Sequence, residues 1–148
     1  MTGASWGAAA LVMLHLTGAG ALPKEVTVEQ VAPYATSEPV RVLVTKGASC
    51  VVEELQLEDY IAGVVAAETP SSFPLEAMKA QAIAARTYTL FHLGDHASQG
   101  ADLCSEVHCQ AFRGAPPPGS KAVLAAQGTA GQVLAYNGLL LDAQYSAA

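Results

Sequence analysis

Between Leu57 and Leu93 the chain reads LEDYIAGVVAAETPSSFPLEAMKAQAIAARTYTLFHL, two helical patterns broken at one elbow bounded by prolines. In the first pattern Leu57, Ile61, Val64 and Val65 fall on one apolar stripe, and Glu68 continues it. Thr69-Pro70 ends this helix, because the residue before a proline disfavours the α region. Glu58 and Asp59 sit in its first turn, where acidic side chains suit the helix dipole. A carboxylate on the core side of a helix needs a partner or a special role, although an exposed last-turn glutamate would also satisfy the periodicity.

Pro74 opens the second pattern. Its alanine-rich centre is apolar on nearly every side except Gln81, as expected of a helix covered by neighbours. Arg86 lies on the stripe of Leu75, Met78 and Ala82 and so points inward. A buried arginine requires an acidic partner or a bound anion, and Glu68 is the nearest candidate by topology. The bland alternative is a surface arginine lying along its own stem.

The remaining chain supplies strands and a clasp. Its 148 residues are enough for one domain with a real core. A net charge of −6 gives no electrostatic footprint for nucleic acid. Residues 1–21 read as an export signal: an apolar run from Gly7 to Leu16, then Ala19-Gly20-Ala21. The run lacks a preceding Lys or Arg, and a simple N-terminal leader is the other reading. Residues 22–39 read as a linker. Arg41–Thr45 and Cys50–Leu57 read as strands, and Ser120 caps a short helix over Lys121–Gln127. Asn137-Gly138 between two β-prone runs, Gln132–Tyr136 and Leu139–Tyr145, predicts a type I′ hairpin that wants a third strand. The expected class is therefore α+β: a central buried helix pair packed against short antiparallel strands and a C-terminal β-hairpin.

Cys104, His108 and Cys109 form a Cys-x3-His-Cys element, and thiolate and imidazole are the ligands zinc prefers. His96 is the expected fourth ligand and His92 the reserve. In an exported chain a Cys104–Cys109 disulfide competes with metal, and Cys50 leaves the cysteine count odd.

Taken together, LEDYIAGVVAAETPSSFPLEAMKAQAIAARTY, ADLCSEVHCQAFRG and GQVLAYNGLLLDAQYS resemble the SpoIID/LytB family over roughly residues 41–146. That is the family of the sporulation lytic transglycosylase and of the amidase enhancers. The resemblance implies that Glu68, in the A-A-E-x-P block, is the catalytic residue. It implies that Arg86, in A-A-R-T-Y, lines the same cleft. It implies a structural zinc held by Cys104, His108, Cys109 and an upstream histidine, matched here by His96. Tyr145 matches a family tyrosine and is expected to contact substrate.

The implied activity is cleavage between N-acetylmuramic acid and N-acetylglucosamine, with a 1,6-anhydro end, on peptidoglycan strands stripped of stem peptides. This would be an extracytoplasmic task in wall remodelling or sporulation. Two departures stand out. Thr69 replaces a frequent methionine, and the Ser/Gly-rich continuation after the tyrosine is absent, so the domain over residues 40–148 reads as incomplete at its C-terminus. Two further readings belong to other classes: a noncatalytic wall-binding module that stimulates an amidase, and a zinc-stapled structural domain. The last leaves Glu68 and Arg86 unexplained.

Overall fold

A computed structural model describes residues 26–30 and 38–145. The N-terminal stretch read as an export signal lies outside them. No helix among the described residues is long and apolar enough to cross a membrane.

The expected α+β class holds, with three helices and two small sheets. Strand β1 covers Val26–Gln30, β2 Val40–Lys46 and β3 Ser49–Leu55. Helix α1 covers Leu57–Glu68 and α2 Leu75–Phe91. Then come the short β4 (Leu103–Cys104), α3 (Lys121–Gly128), β5 (Gln132–Tyr136) and β6 (Leu139–Leu140).

One sheet has the order β3-β2-β4, with β2 antiparallel to β3 and parallel to β4. Val40 and Val42 of β2 alternate into the core while most of β3 faces outward. The other sheet has the order β1-β5-β6. Here the stretch read as linker is corrected: Val26–Gln30 is a strand, paired antiparallel with β5 from Val26↔Tyr136 to Gln30↔Gln132. It supplies the third strand that the hairpin wants. The hairpin itself turns through Asn137 and Gly138, whose φ values of 51° and 72° are those of a type I′ turn. Its second strand is shorter than expected, since pairing stops at Leu140 and the chain to Tyr145 runs as irregular backbone.

The core lies among the three helices and β2. Leu57, Tyr60, Ile61, Val64 and Val65 of α1 meet Met78, Ala82 and Ala85 of α2 and Ala122, Ala125 and Ala126 of α3. Alanine on α2 and α3 is what allows three helices to approach closely. Gly63 has the same purpose. A Cβ there would run into the Phe112 ring and stand 2.9 Å from the Gly114 carbonyl oxygen, so only glycine lets the chain after β4 lie on α1.

Arg86 is fully buried, as its stripe predicts, but its partner is Glu58 and not Glu68. Its Nε donates to Glu58 Oε1 at 3.0 Å and Nη2 to Oε2 at 2.5 Å. Nη1 donates to the Gln132 carbonyl at 3.0 Å and Nη2 to that of Ala126 at 3.1 Å. The reason is the rise of the helix. Arg86 stands about 17 Å along α2 from the elbow, and Glu58 about 15 Å back along α1, so an antiparallel pair brings those two level. The guanidinium therefore ties α1, α2, α3 and the start of β5 into one knot.

A cleft with one carboxylate beside a thiol and imidazole cluster

Glu68 ends α1. Thr69 leaves the helix with an extended backbone, its N–H still bonded to the Val65 carbonyl at 3.0 Å. The half-buried carboxylate accepts a hydrogen bond on Oε1 from the Ala111 N–H at 2.9 Å. It forms part of the wall of an open cleft of about 420 Å³, together with Tyr88, Val107, His108, Cys109, Gln144 and Tyr145. Glu68 is the only carboxylate among those lining residues. Val107 stands at the rim, 79% exposed.

Val107, His108 and Cys109 of the cleft wall belong to the segment from Asp102 to Phe112, and several bonds fix it. Asp102 takes both Arg41 Nη2, at 2.8 Å, and the Arg41 backbone N–H, at 2.9 Å. The Ser105 N–H donates to the Leu43 carbonyl at 3.0 Å. Gln110 is 1% exposed and bridges the interior: Nε2 donates to Thr89 Oγ1 at 2.7 Å, and Oε1 accepts from the Tyr145 hydroxyl at 2.7 Å. Burial, and then the nearby Glu68 charge, push the Tyr145 phenol above its ordinary value. Tyr145 thus stands beside Glu68 in the cleft, where the family resemblance leads one to expect a substrate contact.

Arg86 is not among the cleft residues. Its guanidinium is spent on the knot at the far end of α1, with no donor directed at the cleft.

The metal-ligating expectation meets a clear geometric counterpart. One donor atom from each of His96, Cys104, His108 and Cys109 can be chosen so that all lie within 4.8 Å of one another. His96 Nε2 is 3.2 Å from Cys109 Sγ, and His108 Nε2 is 3.4 Å from Cys104 Sγ. A tetrahedron with bonds of about 2.0–2.3 Å has edges of roughly 3.3–3.8 Å, so these spacings fit zinc. Gln99 Oε1 lies 2.7 Å from His96 Nδ1, which makes Nδ1 the N–H donor and leaves Nε2 as the ligand atom. The Glu106 N–H points at Cys104 Sγ at 3.4 Å, a support suited to a thiolate. Without metal, burial pushes the Cys109 thiol up to about 11. The residues fit a closed structural site.

His92, the reserve ligand, is elsewhere. Its Nδ1 meets Asp95 Oδ2 at 2.7 Å and its Nε2 meets Asp142 Oδ1 at 2.9 Å. That bond pins the irregular segment carrying Gln144 and Tyr145 to the end of α2. Cys50 lies exposed on β3, and all three cysteines are free. Sequence reasoning did not single out Gln110, Tyr88 or Gln144. Tyr88 closes the A-A-R-T-Y block and Gln110 directly follows the Cys-x3-His-Cys element, which is the signal that could have drawn them in.

A family profile described as "SpoIID: Stage II sporulation protein" matches residues 45–136. An uncharacterised protein of Brachyspira hyodysenteriae is 34% identical over 98 residues, 66% of this chain and 27% of that protein. Stage II sporulation protein D of Bacillus subtilis is 50% identical over 52 residues, 35% of this chain and 15% of its own length. The amidase enhancer of Bacillus subtilis is 38% identical over 84 residues, 57% of this chain and 11% of that protein. The chain thus matches about a quarter or less of the length of these relatives.

Proposed function

The chain belongs to the SpoIID family, and from that premise we propose that it is a peptidoglycan lytic transglycosylase with Glu68 as its one acid and base. The observation that carries this reading is the single carboxylate among the described residues that line the cleft. A hydrolytic glycosidase needs two carboxyl groups flanking the bond, one for the leaving group and one for water or the anomeric carbon. A transglycosylase that uses the sugar's own 6-hydroxyl needs one. Glu68 gives its proton to the glycosidic oxygen as the bond from that oxygen to the anomeric carbon of N-acetylmuramic acid breaks. The same carboxylate then takes the proton of the 6-hydroxyl as O6 bonds to that carbon. The proton is returned, no water is consumed, and the product ends in a 1,6-anhydro ring.

The Ala111 N–H holds Oε1 of Glu68, and Oε2 is the oxygen left to carry the proton. Tyr88, Tyr145 and Val107 offer aromatic and apolar surface to the faces of sugar rings. Zinc on Cys104, His108, Cys109 and His96 would supply rigidity to the wall that carries His108 and Ala111, with no open coordination position for chemistry. Arg86 serves the fold and not the cleft. The setting is extracytoplasmic, where glycan strands are found.

The test is product analysis by mass spectrometry on glycan strands stripped of peptides. Anhydro-ended saccharides from the native sequence and none from Glu68→Gln support the reading. Products with hydrated reducing ends would overturn it. The likeness to the amidase enhancer favours a second reading, a strand-binding module that stimulates a partner amidase. Strand binding without anhydro products, together with faster amidase turnover, would decide for that one.

A further inference from the structure

At the C-terminal end of α2, His92 stands between two carboxylates. Its Nδ1 lies 2.7 Å from Asp95 Oδ2 and its Nε2 lies 2.9 Å from Asp142 Oδ1. An ionised carboxylate only accepts, so both ring nitrogens must donate, and a ring with two N–H groups is the imidazolium cation. The place suits a positive charge, because His92 caps α2 at the negative end of its dipole. Asp95, Asp142 and Tyr88 are the titratable groups set against this ring among the described residues.

Two paths lead from His92 into the cleft. The ring lies on that of Tyr88, with centroids 4.1 Å apart and planes inclined by 32°, and a cation there is attracted by the aromatic face. Tyr88 in turn meets Tyr145 edge-on at 6.4 Å. The second path runs through Asp142. Its Oδ1 takes His92, its Oδ2 takes Gln144 Nε2 at 3.1 Å, and its carbonyl accepts the Gln144 N–H at 2.9 Å. Tyr88, Gln144 and Tyr145 all line the cleft. After the Leu141 N–H, which donates to the Leu134 carbonyl at 3.3 Å, the segment leaves the sheet. From there, two side-chain hydrogen bonds tie it to the other described residues: Asp142 with His92, and Tyr145 with Gln110.

We propose that His92 is a positioning residue of the glycan cleft that works only as the imidazolium: it holds Asp142, and through it Gln144, against the end of α2, so the cleft binds a strand more tightly while the ring keeps both protons. The inference rests on the glycan-cleft reading above. A neutral imidazole keeps one N–H and turns a lone pair toward the other carboxylate, so one of the two attractions becomes a repulsion. The bond to Asp95 spans three residues and the bond to Asp142 spans 50, so the distant partner is the one released. Gln144 and Tyr145 then lose their anchor, and a strand must order them as it binds. Affinity therefore falls as the pH rises.

The experiment measures the affinity for peptide-free glycan strands by calorimetry from about pH 5 to about pH 8, the range in which imidazole changes charge. Every protein carries Glu68→Gln, so nothing is turned over and the acid does not titrate. This parent is expected to lose about tenfold in affinity across the range, the loss of one charge-assisted hydrogen bond. Adding His92→Gln should give the weak binding of the high-pH parent at every pH. Asp142→Asn leaves α2 untouched and should flatten the profile in the same way, so the result does not depend on how well His92→Gln folds. The two changes together should weaken binding no more than either alone, because both remove one interaction. A fall with pH that persists unchanged in both variants would assign it to another group and overturn the proposal. So would a His92→Gln protein that binds as tightly as the parent at low pH. If the parent binds no strand at any pH, the glycan reading falls and takes the proposal with it. A parent that binds equally well across the range defeats the His92 inference alone.

Discussion

Helix α1 has a glutamate at each end, and the two do opposite things. Glu58 is locked onto the fully buried Arg86, receives the Gly131 N–H as well, and holds three helices and a strand together. Glu68, roughly 15 Å away along the same helix, has one backbone hydrogen bond and an otherwise open side in the cleft. Both lie on sequence that reads as equally amphipathic. The difference lies in what meets them. Glu58 meets a cation whose other donors are already fixed, so its charge is consumed by structure. Glu68 meets a backbone N–H and a gap, so its charge remains available for a ligand.

The largest expected effect is at the open end. Glu68→Gln should reduce anhydro-product formation by at least about a hundredfold, the usual reach of a positioned acid–base group. Its urea midpoint should stay near that of the native sequence. At the locked end the signs reverse. Arg86→Met leaves Glu58 without its partner and should lower stability by about 3 kcal/mol in urea titration, as expected when one member of a buried ion pair is removed. Adding Glu58→Leu should recover part of that loss. An Arg86→Met protein that keeps its stability and loses cleavage would place Arg86 in the cleft and collapse the contrast.

Metal removal tests the part of the cleft wall that carries His108 and Cys109. A chelator should lower stability by about 2–3 kcal/mol, the linkage expected from saturating zinc at a hundredfold over its dissociation constant. Cys104→Ser should abolish that zinc response, and elemental analysis should find the ion lost. The smallest effect sharpens the geometry between the two ends. Gly63→Ala should cost about 1–3 kcal/mol by forcing Phe112 and Gly114 off α1. It should also reduce cleavage, because Ala111 rides on the same segment.

Much of this contrast is written locally. The break at Pro70 fixes where α1 stops, and so puts Glu68 at a helix end. Asn137-Gly138 fixes the hairpin. The ligand types at Cys104, His108 and Cys109, with His96 nearby, foreshadow the cluster that the fold assembles. What could not be read was height and distance. Periodicity says which face Arg86 occupies but not which turn of α1 stands opposite, and the answer depends on the elbow making the helices antiparallel. Likewise Val26–Gln30 has the alternation of a strand, yet its partner β5 is remote in sequence, and no local signal names it. His92 was ambiguous for a related reason. Only the fold brings Asp142 to its ring.

The pairing of β1 with β5 also orders events in time. Thr27 and Ala135 are register partners separated by 108 positions, so β1 leaves the ribosome long before its partner exists. At about 5–20 residues per second that interval is roughly 5–20 s. Through it the helices can dock and the knot around Arg86 can begin to form, because their contacts are closer in sequence. The β1-β5-β6 sheet must come last, since closing so long a loop precedes any gain from pairing. Slow folding and early aggregation should therefore be concentrated in this sheet, and a chaperone acting on the nascent chain would find its target in the unpaired edge of β1.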